Sequence, residues 1–596
     1  MKDNKVKKTK NFANFLFLLK FFIKYGKSFF IFITITCLFT PLITVLDIYV
    51  TKYVIEQLDL KSPFLTIVIG VLIILGSMLI INIISNIIEV YLGEKLIVII
   101  RSNINKELFN KINKTDIKHF DDKDFYENYA WSIDQLVNKS HEAARFLWGV
   151  ISAIVGIGSL IALIATMDWI IIIIAIISVV IGTFLSSKST KLYYKKNEES
   201  ATFRRDQNYI NRLFYLKNYQ FYLKTSNVND ILREKYDNDR DKIVNVANKY
   251  RMKLNLICDL EFLINYLFLA LVIFYLCFKM TNSSIEAITV SSFVALIAAF
   301  SSLKNQLLSF FKLIPNYQNI AFYGKKIKQF FDSKSCIENS DNNINLENVP
   351  FKIDIDDVSF SYTDKMVLNN INMHIKPKEK IAIVGENGVG KSTLVNLILR
   401  LYDPNDGVIK VNDVNLKDVS INSYRNNIGM AFQQSLSFSI SLRDNMKFYN
   451  QSITDEEIMN IFKLFGFDKV LKKGNYSLDS YLTKEFDSNG MELSFGEMQL
   501  LSICRTYTKK FPLIILDEPS ASLDPYTEKN IMDIILNNTN DSTIVLISHR
   551  LSNVRYFDRI FLISEGKILE SGTHDELMKN NGVYADMFNK QAENYK

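Results

Sequence analysis

The sequence predicts an α-helical membrane domain with six transmembrane helices, followed by an α/β domain of the P-loop type. Three observations carry this: six apolar stretches of membrane-spanning length, a glycine-containing loop between an apolar strand and an amphipathic helix, and a polar stretch, Ser333 to Pro350, between the two halves. The 596 residues are 48% hydrophobic and 22% charged, which one chain accommodates by segregating the two classes. Ile151 to Leu185 carries a single charge, Asp168. The expected division is a membrane domain over 1–332 with cytosolic coupling excursions, a linker over 333–350 and a nucleotide-binding domain over 351–596.

A helix needs roughly 20 apolar residues to cross the bilayer core. The predicted spans are Phe29 to Tyr49, Phe64 to Ile88, Phe146 to Thr166, Trp169 to Ser187, Leu256 to Phe278 and Ile288 to Ile314. The first is too long, and too poor in small residues at its end, for a cleaved signal peptide. Two excursions, Gly93 to Glu142 and Lys188 to Lys253, are longer than a connection requires and read as helices continuing out of the membrane.

Orientation follows from the cations. The first 27 residues hold eight Lys, and both long excursions are rich in Lys and Arg, so these regions are expected in the cytosol, as are both termini. The connections near Glu56 to Pro63, at Met167 and Asp168, and near Lys279 to Glu286 hold few cations and are expected outside. The same distribution accounts for the net charge of +7 without nucleic acid, because no single basic face forms. Cys37, Cys258, Cys277, Cys336 and Cys504 have no metal-ligand spacing and read as reduced structural thiols.

In the soluble half, "FKIDIDDVSFSY" alternates as a half-buried strand does. "EKIAIVGENGVGKSTLVNLILRLY" then supplies strand, loop and helix, and its loop Gly385, Glu386, Asn387, Gly388, Val389, Gly390, Lys391, Ser392 and Thr393 fits the phosphate-binding pattern at every fixed position. Backbone amides and the helix amino terminus suit phosphate anions. Lys391 reaches terminal phosphates and Ser392 ligates Mg2+. "LIILDEP" is an apolar strand ending in Asp517, near the metal, and Glu518, suited to polarise the attacking water. Together these predict an ATP hydrolase using ATP and Mg2+.

With those motifs on one chain, the sequence resembles an ABC transporter of the exporter half-transporter type over nearly its whole length. The resemblance implies further roles. Tyr362 matches the aromatic residue that stacks on adenine, Gln433 the glutamine linking Mg2+ to the membrane domain, Asp524 in "SLDP" the dimer-contact aspartate, and His549 in "LISHR" the histidine that senses the terminal phosphate. In "LSFGEMQ", Ser494, Gly496 and Glu497 match the stretch that binds ATP held by a second subunit. Phe495 departs from it, standing where the family has Gly. A negative φ there makes Phe tolerable, and a positive φ would strain it.

The family mechanism implied is alternating access driven by two ATP molecules between paired nucleotide-binding domains. One such domain per chain implies a second half-transporter subunit, with a homodimer expected and a heterodimer as the alternative. "DIKHFDDKDFYENY" and "EFDSNGMELSFGEMQ" resemble bacterial exporters of ribosomally made peptides such as lantibiotics, which implies a peptide substrate and a bacterial plasma membrane location. About 28 residues precede the first span, too few for an amino-terminal protease domain. The alternatives are a multidrug or lipid exporter of the same architecture and a membrane-anchored ATPase regulator. Asn82, Asn86 and Glu89 recur at helical steps, and with Asp259, Glu261 and Asn265 of the fifth span they outline an acidic vestibule for cationic substrate, against one ammonium, Lys304.

Overall fold

The structure is a computed structural model that describes residues 2–281, 288–335, 337, 344–363, 365–433, 435–519, 523–539 and 541–593. The linker expected at 333–350 and the connection near Lys279 to Glu286 lie partly outside them. The chain divides into two compact units, Met1–Lys114 with Asp124–Ser333, and Thr115–Lys123 with Lys334–Lys596. The short piece Thr115–Lys123 therefore belongs with the nucleotide-binding half, although it lies among the membrane helices in sequence. A division made along the chain has no place for such a piece.

The membrane unit consists of α1 (Lys2–Asp59), α2 (Phe64–Asn86), α3 (Gly93–Asn113), α4 (Lys123–Ala165), α5 (Ile170–Tyr215), α6 (Lys217–Thr225), α7 (Val228–Thr281) and α8 (Val290–Phe331). A π-helical stretch, Ile87–Leu92, joins α2 to α3. Among the described residues six segments are long and apolar enough to cross a membrane, and each contains one predicted span to within two residues at its ends. The long excursions are mostly helical, which their Pro-free sequence permits, with breaks between α3 and α4 and on either side of α6.

The stretch before the first span is also helical, which the lysine count does not reveal. Gly26 breaks α1 with φ −128° and ψ 32°. Ahead of the break Phe15, Leu18, Leu19, Phe21 and Phe22 are buried at steps of three and four, the signature of one apolar helix face. Phe15 meets Phe146 and Tyr317, while Phe17 and Phe21 meet Phe331. At Gly324 the backbone of α1 comes so close that an added Cβ would lie 2.6 Å from the Asn14 carbonyl oxygen, so a small residue permits this helix contact.

Ion pairs are frequent on the helical extensions of this unit, among them Lys24 with Glu107 and Lys249 with Glu199, each at 2.9 Å. Asp168, in the turn between α4 and α5, is paired out of reach of solvent: its carboxylate accepts from Lys279 Nζ at 2.8 Å, from the Tyr275 hydroxyl at 2.9 Å and from the Ile170 amide at 3.0 Å. The Asp168 side chain is 1% exposed and that of Lys279 16%. Each ion is thus matched by its partner, as burial demands.

In the second unit, β1 (Ile353–Ser361), β2 (Met366–Ile375), β4 (Asp406–Val411) and β5 (Val414–Asn415) form an antiparallel sheet in the order β2-β1-β4-β5. The other sheet comprises β3 (Lys380–Val384), β6 (Ile428–Ala431), β7 (Leu513–Asp517), β8 (Thr543–Ile547), β9 (Arg559–Ser564) and β10 (Lys567–Gly572), ordered β10-β9-β3-β8-β7-β6. From β9 to β6 its neighbours run parallel. All five residues of β7 and of β8 are buried, which is why these strands read as unbroken apolar runs. Alternate residues feed two cores: Ile514, Leu516, Ile544 and Leu546 face one, and Leu513, Ile515, Val545 and Ile547 the other. The helices used below are α9 (Lys391–Ile398), α10 (Ile421–Asn426), α11 (Leu442–Met446), α12 (Asp455–Phe465), α13 (Asp468–Gly474), α14 (Phe495–Thr506) and α15 (Pro525–Asn538).

Candidate functional site

The parallel sheet ends its strands at the phosphate-binding loop, where such sheets place ligands. β3 finishes at Val384, and Gly385, Gly388 and Gly390 follow with φ of 151°, 81° and 107°. Gly390 caps α9 in a left-handed conformation that L side chains resist, so this glycine is required for the turn into the helix. Gly385 has a second reason: a Cβ there would lie 2.3 Å from the Ile563 carbonyl oxygen. Lys391 opens α9 and is buried, its Nζ donating to the Gly385 and Glu386 carbonyls at 2.9 and 2.7 Å. The ammonium is thereby folded over the mouth of the loop. Burial lowers its pKa, opposed by the charges of Glu518 and Asp517.

β7 delivers Asp517 and Glu518 beside that loop. Asp517 is pushed up to about 6, first by burial and then by the Glu518 charge. It accepts from the Ser392 hydroxyl, yet its Oδ1 is buried without a hydrogen-bond partner. A buried, unpartnered carboxylate oxygen beside a hydroxyl is a hard oxygen pair that fits Mg2+. Glu518 has φ +47°, a sparsely populated conformation for a residue with a side chain. Its carboxylate is held by His549 Nε2 on one oxygen and by Gln433 Nε2, at 2.9 Å, on the other. Gln499, buried in α14, donates to the Glu518 carbonyl at 3.4 Å. The family resemblance implied separate tasks for Gln433 and His549, whereas here both orient one carboxylate.

Tyr362 lies at the end of β1 with its ring 43% exposed, and its hydroxyl donates to Thr393 Oγ1 at 3.4 Å. The exposed part of the ring suits a planar ligand. The ring meets those of Phe360 and Tyr402 near right angles, with centroids 4.9 and 5.1 Å away. Tyr402, buried and just past α9, went unnoticed in the sequence because nothing about "RLYDP" marks it as more than core.

Ser494 is the N-cap of α14. Its hydroxyl accepts from the Glu497 amide at 3.3 Å, and the Glu497 carboxylate accepts from the Ser494 amide at 2.7 Å, a complete capping box. Phe495 is the first helical residue, is absent from the positive-φ residues and is 48% exposed. The backbone therefore tolerates Phe here without strain. Asp524 caps α15, accepting from the Tyr526 and Thr527 amides at 3.1 and 3.0 Å.

The membrane-unit candidates do not converge in the same way. Asn82, Asn86 and Glu89 are exposed, and Ser85 is the buried residue of α2. Glu89 falls in the π-helical stretch, where the three-and-four stepping of an α-helix no longer holds. Asp259 is exposed and Glu261 half-buried, one carboxylate oxygen of Glu261 having no partner, while Lys304 lies over the Phe300 ring. Among the described residues no hydrogen bond or ion pair joins these groups.

Comparison with known proteins agrees with the geometry. Residues 368–521 match the family model described as ABC transporter. The chain is 27% identical over 570 residues to the subtilin transport ATP-binding protein of Bacillus subtilis, covering 93% of this chain and 90% of that one. It is 35% identical over 269 residues to the ATP-dependent lipid A-core flippase of Desulfotalea psychrophila, covering 45% and 46% of the two. An uncharacterised ABC transporter ATP-binding protein of Bacillus subtilis matches at 34% over 268 residues, again under half of its length, at 44%. The solved structure of a bacterial Atm1-family ABC exporter with ATP bound superposes with a TM-score of 0.77 at 19% identity, covering 95% of this chain and 98% of that one. With a matching ATP-binding domain and six apolar helices on one polypeptide, the chain belongs to the ABC transporters, in the fused half-transporter arrangement.

Proposed function

We propose that the protein is an ATP-driven exporter of a ribosomally made peptide, acting as a homodimer in a bacterial plasma membrane with both termini cytosolic. The single observation that favours peptide over drug or lipid is the match to the subtilin transport protein, which runs through the membrane half, whereas the match to the lipid A-core flippase covers less than half of the chain. Substrate contacts lie in the membrane half, so a likeness restricted to the ATPase says little about cargo. The acidic side chains Glu89, Asp259 and Glu261 favour a cationic peptide.

The ATPase chemistry follows from the residues. The loop amides and the α9 amino terminus bind phosphate oxygens, and the exposed part of the Tyr362 ring meets the base. Lys391 swings from the Gly385 and Glu386 carbonyls to the terminal phosphates, exchanging neutral acceptors for charged ones. Ser392 and Asp517 would hold Mg2+, which neutralises phosphate charge when bound. Glu518, oriented by His549 and Gln433, accepts a hydrogen bond from the attacking water and aligns it with the phosphorus. Ser494 and Gly496 present the α14 amino terminus to the nucleotide of the second subunit.

The test uses inverted membrane vesicles containing the chain expressed alone. ATP-dependent uptake of a cationic lantibiotic precursor, lost in Glu518→Gln, is the expected result. Flipping of a labelled phospholipid without peptide uptake would replace peptide by lipid. Activity that appears only with a co-expressed paralogue would replace homodimer by heterodimer.

A further inference from the structure

Helix α18 (Val583–Glu593) is firmly seated on the nucleotide-binding unit. Tyr584 and Ala585 are buried in it, and Glu570 of β10 accepts from the Val583 amide at 2.6 Å and from the Tyr584 amide at 3.4 Å. The Tyr584 hydroxyl lies 2.9 Å from His574 Nδ1. Two turns past Tyr584, and so on the same face of the helix, stands Gln591. Its Nε2 donates to the His549 carbonyl at 2.7 Å and its Oε1 accepts from the Leu551 amide at 3.0 Å, although Gln591 and His549 lie 42 positions apart.

Both bonds meet a need of the backbone. Leu551 opens the single-turn helix α16 (Leu551–Val554), so its amide has no partner within that helix. The His549 carbonyl lies two residues past the end of β8, beyond the sheet ladder. A carboxylate at 591 would accept but not donate, and an ammonium would donate but not accept, so an amide suits this pair of bonds. Arg550, between the two bonded groups, is held from elsewhere. Its guanidinium and Asn553 Nδ2 both reach the buried carboxylate of Glu528 on α15, and its amide donates to Ser548 Oγ at 3.0 Å. The turn after β8 is thus fixed by α15 through side chains and by α18 through its backbone. That turn carries the imidazole that grips one oxygen of Glu518. Were its backbone free to rotate, Gln433 alone would hold the carboxylate.

We propose that Gln591 is a positioning residue for ATP hydrolysis, which clamps the backbone on both sides of Arg550 and thereby keeps His549 on Glu518. This rests on the reading of Glu518 as the group that aligns the attacking water, and it extends the site to a helix that no motif marks. Gln591 touches neither nucleotide nor water in this scheme.

Gln591→Met tests it in the full chain in lipid nanodiscs. Met matches Gln in reach and helix preference but has no N–H and only a weak acceptor. Hydrogen exchange of the Leu551 amide should quicken about tenfold, the scale of one hydrogen bond, while β8 and β10 exchange as in the wild type. The kcat for ATP should fall about tenfold with the half-saturating ATP concentration unchanged. Unchanged exchange at Leu551 overturns the proposal, and so does a wild-type kcat once that exchange has quickened. Faster exchange throughout β8 and β10, or a loss carried by the half-saturating concentration, also overturns it, because Gln591 would then support the fold in general. Glu518→Gln, measured alongside, separates the proposal from the reading beneath it. Retained turnover there overturns the role of Glu518 and the proposal with it, whereas lost turnover there beside a wild-type kcat in Gln591→Met removes Gln591 alone.

Discussion

Two sets of polar side chains, one in each unit, are held differently. In the nucleotide-binding unit the carboxylate of Glu518 is gripped by two side chains and its backbone is strained into φ +47°. In the membrane unit Glu261 keeps a carboxylate oxygen without a partner, and Asn82, Asn86 and Glu89 stand exposed. Phosphoryl transfer needs atoms held to fractions of an ångström, which a carboxylate restrained from two sides provides. A transport path that accepts cargo and then releases it gains nothing from groups locked onto one another. Asp168 is paired, as are Glu107 and Glu199 of the same unit, and its burial with Lys279 and Tyr275 marks it as architecture.

The comparison can be broken most sharply at Glu518. Glu518→Gln should lower ATP turnover at least about 100-fold, the scale of a lost general base, while nucleotide binding survives. Lys391→Ala should be as damaging and should also weaken binding. Turnover near wild type in Glu518→Gln, measured as phosphate release by purified protein, would show that the two-sided grip on this carboxylate serves structure only.

Next in size is the buried pair of the membrane unit. Asp168→Ala leaves Lys279 uncompensated and should destabilise that unit by about 3–5 kcal/mol, whereas Asp168→Asn with Lys279→Met should cost much less. Thermal unfolding in detergent distinguishes them. Equal losses from the single and double variants would mean the ions are not coupled.

Asp517 sharpens the contrast through pH. Its carboxyl is raised to about 6, so a proton competes with Mg2+ below that value and not above it. The Mg2+ concentration for half-maximal ATPase should therefore rise about fourfold between pH 7.5 and 5.5. A flat profile would show that Asp517 does not contribute to cation binding.

The smallest effect is expected at Phe495. It occupies an ordinary helical position with its ring outward, so Phe495→Gly should change turnover by less than about threefold, under about 1 kcal/mol. A large gain of activity in the chain expressed alone would instead mean that the ring obstructs the nucleotide of the second subunit.

Much of this was legible in advance because it depends on short-range pattern. Bilayer thickness sets the length of an apolar run, so six spans could be counted from the sequence, and the turn from β3 into α9 needs glycine at fixed steps, so the phosphate loop could be located. Residue order also carried Asp517 and Glu518 to the end of a buried strand. What tertiary structure alone decided depends on contacts between distant segments. Gln433 and His549 meet on Glu518 because β6, β7 and β8 lie side by side in the sheet. Thr115–Lys123 joins the nucleotide-binding unit because Asp116 and Asp121 find partners more than two hundred positions away. The helix before Gly26 gives only a mixed signal, its lysines reading as a solvated tail until Phe146, Tyr317 and Phe331 supply the surface that buries its aromatic face. Periodicity records which side of a segment is apolar, but which distant segment covers it, and which hydroxyl reaches which carboxylate, is fixed by packing in three dimensions.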